Sequence, residues 1–142
     1  MKKLTVIAIG LLMSAAMQVN SEATQKVNDF SAFWTKFKAA VSHGDKDAVV
    51  AMTRFPLRMP GRVRNIKDAD DLRARYAEVF TKYMNAARCF STEEGQGQID
   101  PDNSRKASAG CFTKPYYDVE YVFERTSNGW KLIGLFREAL PD

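Results

Sequence analysis

The stretch FSAFWTKFKAAV, Phe30 to Val41, decides how this chain folds. Its large apolar residues are Phe30, Phe33, Trp34, Phe37 and Val41. Their spacing lines them up as one stripe of an α-helix, whereas a strand would scatter them over both faces. Four aromatic rings on one face bury more area than a helix of this length usually offers. Something concave must close over them, and the rest of the chain is read as that cover. Asn28 or Asp29 is expected to cap the helix start. Gly44 is expected to end it in the left-handed conformation.

Upstream of this helix the chain reads as an address. Lys2 and Lys3 form a positive start, Leu4 to Met17 is an apolar run, and Ser21-Glu22-Ala23 supplies small residues before a cut. Residues 1–23 are therefore read as a signal peptide cleaved after Ala23, and residues 24–142 as a single periplasmic α+β domain. The run is too short for a good membrane span, and no span is expected after cleavage. The competing reading is a buried N-terminal helix. The formal net charge of the 142-residue chain is +4, with both signs mixed along it. No basic helix or basic-aromatic array stands out, which argues against nucleic acid.

Cys89 and Cys111 are the two cysteines. In an exported chain an even count favours one disulfide; two buried free thiols is the other reading. Their spacing fits no zinc motif, and with His43 as the single histidine no metal site is expected. No cofactor motif is present either.

Downstream, Asp45 is placed to cap a short helix with Ala48, Val49 and Met52 on its buried side. Pro56 forbids its continuation. Arg54 to Ile66 reads as an extended segment or hairpin around the Pro60-Gly61 turn, with the prolines consigning it to a sheet edge. A third helix starts at Asp68, its face formed by Leu72, Tyr76, Val79, Phe80 and Tyr83. Glu93 to Ser104 reads as a loop, Arg105 to Thr113 as a strand, and Lys114-Pro115 as a turn. Asn128-Gly129 then marks a type I′ hairpin. That turn sets Tyr121 opposite Phe136, Phe123 opposite Gly134, and Glu120 opposite Arg137. One face would carry Tyr117, Val119, Tyr121, Phe123, Leu132 and Phe136. The other would carry Asp118, Glu120, Val122, Glu124, Ile133, Leu135 and Arg137.

Phe33-Trp34 with Phe37, the Ala39-Ala40-Val41 end, Asp45, Phe55-Pro56-Leu57, Tyr76 with Val79-Phe80, and Asn128-Gly129-Trp130-Lys131-Leu132 together span nearly the whole of residues 24–142. In that order they resemble the nuclear transport factor 2-like superfamily, above all its exported bacterial members of unassigned function. The resemblance implies an α+β fold, a curved antiparallel sheet wrapped like a cone around N-terminal helices. The superfamily includes isomerases, cyclases, dehydratases and non-catalytic binding domains, so it leaves function open.

Three functional readings follow. Trp34, Phe37, Tyr76, Phe80, Tyr83, Tyr121 and Phe136 are the candidate lining of a cavity for a small apolar or amphipathic ligand, with core filling as the alternative. Val122, Ile133 and Leu135 on the outer sheet face suggest an interaction module, a homodimer or an inhibitor of an envelope partner. An isomerase or dehydratase needs a carboxylate base beside an apolar cavity, and none falls on the expected inner face. His43 beside Gly44 reads as a helix-end residue and not as a base. Arg54, Arg58, Arg62 and Arg64 read as charge protecting an edge strand or as a patch for an acidic partner or lipid headgroups.

Overall fold

The ring stripe lies on a long helix, α1 (Val19–His43), in the computed structural model, which describes residues 19–82, 84–93, 95–113 and 117–139. The expected leader falls mostly outside the described residues. α1 passes through Asn28 and Asp29 without a break, so neither caps it. Asp29 instead ion-pairs with Arg125 at 3.0 Å. At the other end Gly44 adopts φ +65°, and the Gly44 and Asp45 amides donate to the Val41 and Ala40 carbonyls. These bonds satisfy carbonyls that a helix end otherwise leaves bare. The Asp45 carboxylate accepts from the Ala48 amide at 3.0 Å and starts α2 (Lys46–Ala51), which buries Val49.

β1 (Thr53–Arg58) is an edge strand, as Pro56 implies. Leu57 exchanges backbone bonds of 2.8 and 3.0 Å with Ile66 after a turn in which Gly61 has φ +61°. Asp68 caps α3 (Ala69–Ala74), accepting from the Asp71 amide at 2.9 Å. The single third helix expected here breaks at Arg75, and α4 (Tyr76–Phe80) follows. Arg75 is tied sideways: its guanidinium donates to the Arg64 carbonyl at 3.0 Å and to Glu78 at 2.7 Å. Leu72, Val79 and Phe80 are buried as the stripe implied, Tyr76 is half-buried, and Tyr83 lies outside the described residues. A helix that the pattern did not signal, α5 (Ala86–Phe90), is capped by Asn85 and carries Cys89 and Phe90.

The remaining strands are β2 (Gln98–Ile99), β3 (Lys106–Thr113), β4 (Tyr117–Thr126) and β5 (Gly129–Ala139). The sheet order is β1-β5-β4-β3-β2, antiparallel except for the parallel β1–β5 pair. Lys114-Pro115 lies outside the described residues.

The hairpin register differs from the one expected. Thr126 pairs with Gly129, so the two loop residues are Ser127 and Asn128. The Thr126 hydroxyl donates to the Gly129 carbonyl at 2.7 Å and accepts from the Asn128 amide at 3.1 Å, which fixes this turn. Phe123 consequently faces Leu132. The register then shifts once more: Val122 faces Gly134, leaving Ile133 as an extra residue on β5. Tyr121 faces Leu135, and Glu120 faces Phe136. Because side chains alternate along a strand, the slip exchanges the sides of all that follows. Leu135 is buried, and Phe136 is 44% exposed. Gly134 sits beside β1, where an added Cβ would come 3.1 Å from the Arg58 Cβ. The glycine therefore serves close strand approach.

Candidate functional site

The seven candidate cavity residues divide. Trp34, Phe37, Phe80 and Tyr121 are buried and share one cluster with Phe30, Phe90 and Phe123. Phe123 is its hub, meeting Phe37 edge-on at 5.1 Å, Trp34 at 5.7 Å and Phe30 at 6.1 Å between ring centres. Phe80 stacks on Tyr121 at 5.8 Å, and Tyr76 leans on Phe80 at 4.8 Å. Edge-on and offset contacts of this kind are favourable beyond the area they bury. These rings are committed to one another. Phe136 is on the opposite side of the sheet and leaves the cluster. Phe90 and Phe123 belong to it, though only Phe123 lay on a face whose direction the sequence indicated.

Polar atoms among the rings are few. The Tyr121 hydroxyl donates to the Val79 carbonyl at 2.9 Å, and burial pushes its phenol pKa up. The Tyr76 hydroxyl oxygen and the Trp130 indole nitrogen are buried and have no hydrogen-bond partner among the described residues. Burial also raises the Tyr76 pKa, with Asp45 adding to it. Among the described residues the buried set contains no aspartate or glutamate. His43 is exposed at the end of α1.

One side of the cluster is strapped. The Gln96 carboxamide oxygen accepts from the Trp34 indole at 3.2 Å and from Lys38 at 3.1 Å, while its nitrogen donates to the Phe90 and Thr92 carbonyls. Next to it, a Cβ on Gly97 would lie 2.8 Å from the Trp34 ring, so no side chain fits there. The Cys89–Cys111 disulfide joins α5 to β3 and pins the same segment.

The outer sheet face has a different character. Phe136 is exposed, with half-buried Val122 and Ile133 near it. Leu135, expected on this face, points inward. Arg58 on β1 and Glu120 on β4 flank the patch, and neither has an ion-pair partner among the described residues. Of the other basic residues in that segment, Arg54 pairs with Glu124 at 3.1 Å and Arg64 with Asp71 at 3.2 Å. The Asp71 carboxyl sits below its ordinary pKa, first because the Lys67 amide donates to it and then because of Arg64 and Arg75. Among the described residues no group of His, Cys, Asp and Glu could hold a metal ion, and no helix is long and apolar enough to cross a membrane.

No known family's sequence profile matches the chain, and no curated protein does. Solved structures do. A protein of unknown function from the DUF3225 family of Pectobacterium atrosepticum superposes with TM-score 0.50 at 10% identity, covering 82% of this chain and 92% of that one. A nuclear transport factor 2-like protein of Streptomyces avermitilis, proposed to be a dehydratase, gives TM-score 0.50 at 14% identity, with 84% and 99% covered. A nuclear transport factor 2-like protein with a cystatin-like fold from Novosphingobium aromaticivorans gives 0.48 at 11%, with 89% and 92% covered. With its helices laid against one face of a five-stranded, mostly antiparallel sheet, this chain has the nuclear transport factor 2-like fold.

Proposed function

We propose that this is an exported, non-catalytic interaction domain that pairs with a second copy of itself through the outer face of β1, β5 and β4. The observation that carries this reading is Phe136, 44% exposed beside Val122 and Ile133. A large ring in water is costly to leave uncovered, and such patches mark interfaces. The charges at its edges argue for a second copy. The Gly134 row of β5 lies between Arg58 on one side and the β4 strand of Glu120 on the other. A two-fold axis along β5 in the plane of contact exchanges the sides, setting Arg58 of each copy over Glu120 of the other. Export to the periplasm is supported by the Lys2-Lys3 start, the apolar run and a disulfide-bonded pair of cysteines.

Sedimentation velocity tests this. The wild type is expected to dimerise, Phe136→Glu to be a folded monomer, and Arg58→Glu to be weakened. Arg58→Glu combined with Glu120→Arg is expected to recover association. A wild type that stays monomeric at all attainable concentrations overturns the reading.

A second reading, binding of a small apolar ligand among the rings, is favoured by the unpartnered Tyr76 hydroxyl. A ligand acceptor at that hydroxyl would satisfy it. The contacts between the rings mean such a ligand must displace side chains to enter. Quenching of tryptophan fluorescence by an apolar probe, lost in Tyr76→Phe, would support it. The isomerase or dehydratase reading lacks a buried aspartate or glutamate among the described residues.

A further inference from the structure

We infer that the cleft between the hairpin tip and the start of β3 binds a tetrahedral oxyanion, a phosphate or sulfate group, on Arg105 and Arg125. This cleft, of about 490 Å³, is lined by Ser104, Arg105, Arg125, Thr126 and Ser127. Each of these side chains carries a hydrogen-bond donor, and none is an acid. Thr126 is already spent on the turn, donating to Gly129. The others are less committed. Arg105 gives one Nη2 bond to the Arg125 carbonyl at 3.3 Å, and its guanidinium has no carboxylate partner among the described residues. That bond holds the side chain across the cleft and leaves the rest of the fork available. The backbone fixes the same pair, because the Arg125 amide donates to the Arg105 carbonyl at 2.8 Å. Ser104 and Ser127 have hydroxyls without partners among the described residues.

Arg125 shows what this corner accepts. Its Nη2 holds the Asp29 carboxylate at 3.0 Å, so an anionic oxygen already sits at the edge of the site. Asp29 anchors the guanidinium and offsets one of the two positive charges. One positive charge therefore remains over, on Arg105. The planar fork of an arginine matches an oxyanion edge with two bonds. A carboxylate has only two oxygens to offer and would be satisfied by the fork alone. A tetrahedral anion has further oxygens for Ser104 on one wall and Ser127 on the other. Because the cleft is open, the attraction is screened and the binding depends on salt.

The test titrates the intact domain with sodium phosphate against sodium chloride at matched ionic strength, following backbone amide shifts by nuclear magnetic resonance. Phosphate is expected to move the amides of Ser104, Arg105, Arg125 and Ser127, saturably, where chloride does not. Arg105→Gln should weaken binding by about tenfold, the loss of one charge-assisted bond. Arg105→Lys, which keeps the charge but not the fork, should recover part of it. Arg105 is exposed, so neither variant is expected to disturb the fold. A parallel arm spins the protein with phosphatidylcholine vesicles with and without phosphatidic acid. Co-sedimentation that needs the acidic lipid and Arg105 identifies a headgroup phosphate; phosphate shifts without co-sedimentation identify a free anion. Equal shifts in chloride and phosphate, or a response unchanged in Arg105→Gln, overturn the proposal.

Discussion

The two halves of β5 read one sequence pattern in opposite senses. From Gly129 to Leu132 the even-numbered residues, Trp130 and Leu132, point into the rings. Beyond Ile133 the odd-numbered Leu135 is buried and Phe136 is in solvent. One extra residue separates the two regimes. It converts what alternation alone would make a core phenylalanine into the most conspicuous feature of the outer surface. Hydrophobicity states what a residue would gain by burial, but the local count of residues decides whether it is buried.

That contrast can be broken at several points. The largest effect is expected at Phe123, the hub of the inner face before the slip. Phe123→Ala should destabilise by about 4 kcal/mol in urea unfolding, because several rings lose their common neighbour. Leu135→Ala, after the slip, should cost about 3 kcal/mol; a value near zero would mean that Leu135 is not in the core and that the two halves share one register. Away from the sheet, Asp71 gives a smaller, pH-dependent effect. Its folded pKa is depressed, so its contribution is fully present above the pKa of the unfolded chain and is lost as pH falls through the folded value. Wild-type melting temperature should fall over that acidic window, and Asp71→Asn should start lower at neutral pH and fall less. The smallest effect is reserved for Phe136→Ala, which should shift monomer stability by no more than about 0.5 kcal/mol while reducing self-association. The pairing of a costly Leu135 with a cheap Phe136 is the sharpest check on the slip, since the unshifted register demands the reverse.

Much of the fold was legible because its signals are local. The stripe from Phe30 to Val41, the Gly44 stop and the caps at Asp45 and Asp68 each depend on residues within a few positions. The Cys89–Cys111 bridge could be favoured from compartment alone. What escaped was set by side-chain competition for the backbone or by neighbours across the fold. Arg75 breaks the third helix because it bonds to Arg64 and Glu78. The turn moved because the Thr126 hydroxyl outcompeted the Asn128-Gly129 preference. The slip at Ile133 occurs where β5 runs beside β1, and Gly134 was its one visible trace, a glycine inside a strand that marks a bulge or a close backbone approach. Of the seven ring residues named from the sequence, Trp34, Phe37, Phe80 and Tyr121 are packed in one buried cluster. Phe136 was misplaced by the register, and Phe90 sits on a helix too short to show a period.

The Phe30 ring packs against Trp130 at 4.8 Å, edge to face. The first helix thus finds its lid in a hairpin far downstream of it. A growing polypeptide that has not yet reached β5 leaves the Phe30 end of the greasy rod without its Trp130 cover, and its interior is unfinished. That end of the rod closes only when β5 pairs with β4.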